Sequence, residues 1–152
     1  AYSQRSARFL GYEAEAQAIL AETGWGQLKL SLFSDWVRGR FADGDRDDVP
    51  RLPPLRFGAE IGLGGQHWNT ALRYTRAEAQ THPGNGETET AGYHLLGASA
   101  DYHWRGAEPL DVWLFAKANN LLNQEIRSSV SFLRNFAPEP GRSVVIGFRA
   151  SF

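Results

Sequence analysis

Apolar and polar residues alternate along much of this chain, and the alternation is clearest at its end. Every second residue from Val144 to Phe152 is apolar, and the positions between them include Gly147, Arg149 and Ser151. A period of two places successive side chains on opposite faces of a β-strand. The last segment is therefore predicted to be a strand with one apolar face and one small or charged face.

Segment 8–20 has the same period but a different composition. Leu10, Tyr12 and three alanines share one face, while Glu13, Glu15 and Gln17 share the other. Alanine favours helices over strands, so 13–22 taken alone could be helical. The strict alternation favours a strand, and we predict one here.

Five further segments alternate in the same way, which makes seven predicted strands. In 110–117 bulky residues occupy both faces, so its facing is less defined than that of the others. These five segments are 28–36, 56–63, 68–75, 96–104 and 110–117.

The connections between the predicted strands alternate in length. Short turns are predicted at 23–27, 64–67 and 105–109, and long loops at 42–54, 80–91 and 123–141. Short turns on one side and long loops on the other are typical of outer-membrane barrels. The fold class predicted is all-β, an antiparallel up-and-down transmembrane β-barrel segment contributing about seven C-terminal strands to a larger barrel.

This alternation also predicts an orientation in the membrane. The last strand runs towards the periplasm, so Phe152 ends at the periplasmic rim. Two aromatic girdles follow, although the same rings could instead pack a soluble core. The periplasmic girdle is expected to contain Trp68, Tyr102 and Trp104, and the outer girdle Trp36, Tyr74 and Tyr93.

Composition excludes several other classes of protein. The chain has 152 residues, a net charge of −1 and no cysteine, which argues against a nucleic-acid surface, a disulfide framework and a thiolate metal site. No apolar run approaches the roughly 18 residues of a membrane helix, and the polar start is unlike a signal peptide. The mean hydropathy of −0.41 would suit a soluble protein, but barrel strands expose only alternate residues to lipid.

Two segments near the end carry a family resemblance. Segment 115–125 reads FAKANNLLNQE and is similar to the N-L-f-D element on the penultimate strand of TonB-dependent receptors, with Asn120 and Leu121 at its first two positions. Asn123 replaces the usual Asp, and Ile126 stands near the usual Tyr. Segment 141–152 reads GRSVVIGFRASF and resembles the family's closing strand, with Gly141 and Arg142 as its P-G-R element.

Two other segments resemble the zinc-uptake branch of the same receptors. They are 131–142, which reads SFLRNFAPEPGR, and 7–15, which reads ARFLGYEAE. The resemblance spans nearly the whole chain, with Arg134 and Asn135 in place of the branch's usual Lys and Asp. It implies an outer-membrane transporter for zinc or another metal or metal chelate, with no resident cofactor.

The resemblance also implies partners. Receptors of this family have roughly 22 strands around a plugged lumen, so residues 1–152 would form the final third of the barrel without the plug domain. The expected partners are outer-membrane lipid, the remaining barrel and plug of the same protein, the barrel assembly machinery, and TonB through the missing N-terminal part. No nucleic-acid partner is expected.

The terminal strand is the firmest functional element in the sequence. A C-terminal aromatic on an alternating strand resembles the signal read by the barrel assembly machinery, which assigns that role to Phe152, Phe148 and Ile146. An interfacial aromatic could equally anchor the rim.

Two of the long loops contain candidate metal ligands. His82, Glu87 and Glu89 could form a mixed nitrogen and oxygen site for zinc. Asp43 and Asp45 could bind a hard cation, although the residues that follow do not fit an EF-hand. Ordinary solvated loops are the alternative for both.

No motif for catalysis is present: the chain lacks G-x-S-x-G, H-E-x-x-H and a Gly-rich phosphate-binding loop, so we expect no enzyme. Two alternatives to a transporter segment remain open from the sequence. One is a structural or assembly barrel fragment, or a self-associating pore. The other is a soluble antiparallel β domain that binds a small ligand.

Overall fold

The computed structural model describes residues 4–43, 47–105 and 110–152, and these form a single antiparallel sheet. Seven strands follow one another in the sheet in chain order, β1-β2-β3-β4-β5-β6-β7, which confirms the predicted up-and-down arrangement. The strands are β1 (Ala7–Thr23), β2 (Gly26–Phe41), β3 (Arg56–Gly64), β4 (Trp68–Ala77), β5 (Tyr93–Arg105), β6 (Asp111–Asn119) and β7 (Ser143–Ser151). Within the described residues no helix is long and apolar enough to cross a membrane.

Segment 8–20 lies inside β1 as predicted, with one irregularity. The pairing with β2 shifts between Ile19 and Ala21, so Ala21 rather than Leu20 stands opposite Leu28. An extra residue in one strand of a pair is a β-bulge, which moves the following side chains to the other face. The strict period of two predicted for this segment therefore does not hold beyond Ile19, because it does not allow for a bulge.

The register gives the sheet one apolar and one polar face. Directly paired residues share a face, and Leu30, Ile61, Leu72, Ala98 and Ala118 are linked in this way from β2 to β6. The other face carries mostly polar or small residues, which form pairs across neighbouring strands. They include Glu13–Asp35, Ser31–Glu60, Glu60–Arg73, Asn69–Asp101 and Ser99–Lys117.

Strand β6, which is bulky on both sides, has Val112, Leu114 and Ala116 on the apolar face. On the polar face Phe115 lies directly opposite Gly147. A Cβ atom at Gly147 would clash with the Phe115 ring, so a larger residue there would require this ring to move off the neighbouring strand.

The apolar face has no hydrophobic core beneath it. Among the described residues only Ala77 and Ile126 are buried hydrophobics, whereas Leu10 is 71% exposed and Ile146 79% exposed. A soluble sheet of this size covers its apolar face with another layer. This face therefore needs an apolar environment outside the chain, which argues against the soluble-domain alternative.

The connections follow the predicted alternation of lengths. Two residues link β1 to β2, where the Thr23 hydroxyl donates to the Gly26 carbonyl at 2.8 Å, and three residues link β3 to β4. The long connections 42–55, 78–92 and 120–142 are called loops A, B and C below. All three lie at the end of the sheet opposite the short turns, because the strands are antiparallel.

The aromatic residues lie at the two ends of the sheet, as predicted. Trp68 pairs with Tyr102 at the short-turn end, and Trp25 stacks on Trp68 at 6.3 Å between ring centroids. At the loop end Trp36 and Tyr74 are on the apolar face, but Tyr93 pairs with Ala77 on the polar face. The outer girdle thus lacks Tyr93, whose facing is set by the strand register.

Candidate functional site

The three long loops meet at the carbonyl oxygen of Leu52 in loop A. It accepts hydrogen bonds from the Gln80 amide of loop B at 2.8 Å and from the Ser129 hydroxyl of loop C at 3.1 Å. Loops distant in sequence are therefore held together as one structure at this end of the sheet. We call it the loop cluster.

A buried ion pair joins loops B and C within the loop cluster. The guanidinium of Arg134 lies 2.9 Å from the carboxylate of Glu87, and their side chains are only 8% and 12% exposed. Arg134 also donates to the Ser129 carbonyl, while the Nε of Arg134 has no partner among the described residues. A buried cation is stable only with such a counter-charge, so each side chain depends on the other.

Glu87 is held by more than its ion pair. Its carboxylate also accepts hydrogen bonds from the backbone N–H of Arg51 at 3.0 Å and of Gly84 at 3.2 Å. Burial opposes ionisation of this carboxyl, but the hydrogen bonds that it accepts outweigh burial, and the pKa of Glu87 lies below its ordinary value. Glu87 is therefore an ionised carboxylate that fastens all three loops.

Two further contacts extend the loop cluster. The Thr88 hydroxyl donates to the side chain of Asn135 at 2.7 Å, and the Arg51 guanidinium lies 4.1 Å above the ring of Phe132. Arg134 and Asn135 belong to the segment that resembles the zinc-uptake branch. In this structure that segment packs loop C against loops A and B.

The family-motif residues Asn120 and Leu121 begin loop C. Asn120 is 3% exposed and has a positive φ of 49°, a backbone conformation that asparagine tolerates better than most residues. Its amide donates to the carbonyls of Gln124 and Pro140, and its side-chain oxygen accepts from the Gln124 N–H. The N–H of Leu121 donates to the Leu96 carbonyl at 2.9 Å.

The second motif, Gly141 and Arg142, lies beside the first one at the end of loop C. The Arg142 N–H donates to the Asn123 side chain at 3.0 Å, and its guanidinium donates to the Leu121 carbonyl at 3.0 Å. A Cβ at Gly141 would lie 3.0 Å from the same Asn123 oxygen. The two motifs therefore close the base of loop C, where β6 leaves the sheet and β7 re-enters it.

The predicted metal ligands within the described residues do not form a cluster. In the part of the chain that the structure describes, no three His, Asp or Glu side chains are close enough to hold an ion. Glu87 is committed to Arg134, while His82 and Glu89 are exposed, with His82 beside the Thr81 hydroxyl. Asp43 accepts from the Ser6 N–H at 3.3 Å, and Asp45 lies outside the described residues.

The polar face of the sheet holds paired charges. Arg56 donates twice to Asp35, and Arg73 pairs with Glu60 at 3.2 Å while stacking on Phe33. Nearer the short turns, His103 bonds to Asp111 at 2.5 Å, and its ring stacks on Trp113 at 4.1 Å. These cross-strand pairs keep a charged surface compatible with a water-filled interior.

Two of the predicted assembly-signal residues, Ile146 and Phe148, lie on the exposed apolar face of β7. Ile146 pairs with Ala116 and Phe148 with Leu114, and their exposures are 79% and 73%. Phe152 follows the strand and is 97% exposed. In the described chain β7 pairs only with β6, so its other edge is open.

The sequence had not indicated the residues that fasten the loop cluster. In the sequence Arg134 stands out only as a departure from a family pattern, and Leu52 acts through its backbone carbonyl, which has no sequence signature. Glu87 was predicted as a metal ligand because of its residue type. The nearest signal was the placement of Glu87 and Arg134 in separate long loops, which alone cannot predict a pair.

Comparisons with known proteins agree with this architecture. The family model described as "TonB dependent receptor-like, beta-barrel" matches residues 2–121, well over half of the chain. The solved structure of the "Copper transporter OprC" superposes with a TM-score of 0.75 at 22% identity, covering 96% of this chain and 24% of that one. This chain thus spans about a quarter of that protein's length, and the likeness concerns the fold. On the family match and the two-faced antiparallel wall, the chain belongs to the TonB-dependent receptor β-barrel family.

Proposed function

We propose that this chain is the C-terminal wall segment of an outer-membrane, TonB-dependent transporter for a metal ion or metal chelate. The family match is the observation that carries the proposal. The name of the structural relative OprC supports a metal as cargo. The likeness of 131–142 and 7–15 to the zinc-uptake branch favours zinc within that class.

In this proposal the apolar face contacts outer-membrane lipid and the polar face contacts a plug contributed by the rest of the protein. The short turns lie in the periplasm and loops A, B and C outside the cell. TonB would act through the N-terminal part of the protein. The exposed apolar face and the open edges of β1 and β7 support this arrangement, because unpaired strand edges are costly in lipid.

The loop cluster would form part of the extracellular mouth. His82 and Glu89 are exposed there and remain available as ligands, whereas Glu87 is held in its ion pair. A complete zinc site would therefore need further ligands from elsewhere in the full protein, with Asp43 and Asp45 as additional candidates. The loop cluster itself would supply a fixed platform rather than a set of ligands.

The cargo is tested in a strain that lacks the full-length gene. The deletion should impair growth under zinc starvation and lower the uptake of radioactive zinc, and the intact gene should restore both. Unchanged zinc uptake with a loss of copper uptake would show that the cargo is copper and not zinc. A loss of uptake restricted to a ferric chelate would show that the cargo is iron. No loss with any of these metals would contradict the transporter, and favour the structural or assembly role.

We also propose that Ile146, Phe148 and Phe152 carry the assembly signal and that β7 closes the barrel against a strand elsewhere in the protein. Deleting Phe152 should lower the amount of folded receptor in the outer membrane several-fold. Replacing the neighbouring Ser151 by alanine serves as the control. Equal amounts of folded receptor from both variants would contradict the signal.

A further inference from the structure

The apolar face of the sheet carries arginines at only one of its ends. Within the described strands this face has four arginines and no Lys, Asp or Glu, and all four lie towards loops A, B and C. They are Arg8, Arg38, Arg40 and Arg76. At the short-turn end the same face presents Trp68, Tyr102 and Trp104, without a cation in the described strands.

The register gives the height of these arginines, meaning their position along the strands relative to the aromatic girdle. Arg38 is two residues beyond Trp36 on the same face, and Arg40 is four residues beyond it. At about 3.3 Å per residue they lie roughly 7 and 13 Å along the strand past the aromatic girdle. Because the girdle marks the boundary of the hydrocarbon, these guanidinium groups reach the level of the lipid headgroups.

Three of the four arginines are grouped. Arg8 and Arg40 are directly opposite one another in the sheet, a pairing of like charges that is unfavourable without an anion. One carboxylate, that of Asp48, serves both Arg38 at 3.3 Å and Arg40 at 3.4 Å. Among the described residues Arg8 has no ion pair. Within this part of the chain the three arginines therefore have a single carboxylate, that of Asp48, as counter-charge.

The three arginines border an open groove of about 710 Å³, which also extends to Phe9 and Phe41 of the other face. Leu10 and Trp36 form part of the same lining, on the side nearer the middle of the wall. The groove thus combines cations at headgroup level with an apolar surface below. This pattern fits an anionic amphiphile better than a free ion, because a free ion gains nothing from the apolar surface.

We propose that Arg8, Arg38 and Arg40 bind the phosphate group of a phosphorylated glycolipid in the outer leaflet, with its acyl chains along Leu10 and Trp36. The inference rests on the membrane orientation given under Proposed function. Guanidinium groups form paired hydrogen bonds to phosphate oxygens, which explains why arginine rather than lysine is used. The absence of similar cations from the described strands at the other end fits a lipid found in one leaflet.

The fourth arginine provides a matched control. Arg76 is on the same face, two residues beyond Tyr74, but its guanidinium makes two hydrogen bonds to Glu78 and one to His94. With its donors engaged in this way, Arg76 should contribute little to lipid binding. It tests whether any arginine at this height has the same effect.

The experiment uses the full-length receptor, purified in detergent and titrated with bisphosphorylated lipid A while bound lipid is counted by native mass spectrometry. The double variant Arg8→Gln, Arg40→Gln should bind about 25-fold more weakly, at roughly fivefold for each arginine near a phosphate. Arg76→Gln should change binding less than about twofold. A variant counts as folded if it resists unfolding, as the wild-type receptor does, in detergent that has not been heated.

Three further probes identify the ligand. Lipid A stripped of its phosphates and inorganic phosphate should each bind far more weakly, and phosphatidylglycerol should bind at an intermediate level. Equal binding of the stripped lipid, equal binding of inorganic phosphate, or equal weakening by Arg76→Gln would each overturn the proposal. Lipid binding is read separately from metal uptake, so a receptor that binds lipid A as expected but imports no metal would refute the transport proposal alone.

Discussion

Removing the carboxylate of Glu87 should release loop C from loops A and B. The substitution Glu87→Gln leaves the guanidinium of Arg134 in a site where the two side chains are 8% and 12% exposed. It also weakens the acceptor for the N–H groups of Arg51 and Gly84. Breaking a buried ion pair from one side costs about 3–5 kcal/mol.

The lower end of that range applies, because the loop cluster lies at the rim where water can reach an opened pair. A loss of about 3 kcal/mol raises the population of the open loop on the order of 100-fold, at 1.4 kcal/mol for each factor of ten. Hydrogen exchange reports this population directly. The amides of Phe136 and Ala137 are suitable probes, since both donate to the Leu133 carbonyl at 2.8 Å.

The assay compares hydrogen exchange of peptides covering 131–137 in the full-length receptor and its variants. A matched control is the Glu125–Arg127 pair in the same loop, at 2.8 Å but with side chains 66% and 40% exposed. Glu125→Gln should change exchange less than about fivefold, because exposed pairs contribute 0–1 kcal/mol. If Glu87→Gln changes exchange less than threefold, or no more than Glu125→Gln does, the ion pair does not fasten the loops.

Three other outcomes follow from the structure. The pKa of Glu87 is lowered in the folded loops, so the stability that its ionised form contributes is complete above pH 4.5, its ordinary pKa, and is lost as the pH falls below that value. Protease cleavage of the long loops should therefore rise steeply only in that acid range. Leu72→Arg on the apolar face should destabilise the folded barrel by about 2–4 kcal/mol in a denaturant titration in vesicles, whereas Ala71→Arg on the polar face should have a small effect; equal effects would contradict the facing. Asn120→Ala should lower the stability of the folded barrel by about 1–3 kcal/mol and speed proteolysis at the base of loop C, because three hydrogen bonds of a buried side chain are lost and alanine tolerates the positive φ less well; wild-type cleavage would show that these bonds do not hold the loop base.

The strands could be predicted from the sequence because lipid and a wet interior impose opposite demands on alternate residues. The period of two is strong from Val144 to Phe152, and the register of β6 and β7 follows it. The bulge before Ala21 could not be predicted, since it adds one residue without changing the composition of β1. Tyr93 was misplaced for another reason: the predicted strand began at Leu96, and continuing its period of two back to Tyr93 puts this residue on the polar face.

The contacts of the loop cluster could not be predicted from the sequence, for a different reason. Its contacts join residues far apart in the chain, such as Ser129 and Leu52, and one partner is a backbone carbonyl. Residue type alone suggested a metal ligand at Glu87, whereas its position opposite Arg134 makes it a structural anion. The family resemblance identifies the motif residues Asn120 and Arg142, but it does not specify the hydrogen bonds that they form in the structure.

The central claim is that alternate residues of each strand face lipid and a water-filled interior. These 152 residues contain no cysteine, so once any cysteine elsewhere in the full-length receptor has been replaced, single cysteines placed along β6 (Asp111–Asn119) can each carry a spin label in a lipid bilayer. Collision rates with oxygen should be high at 112, 114, 116 and 118, and collisions with a water-soluble nickel complex should be high at the positions between them. Uniform accessibility, or a period near 3.6 residues, would contradict the two-faced wall on which the account depends.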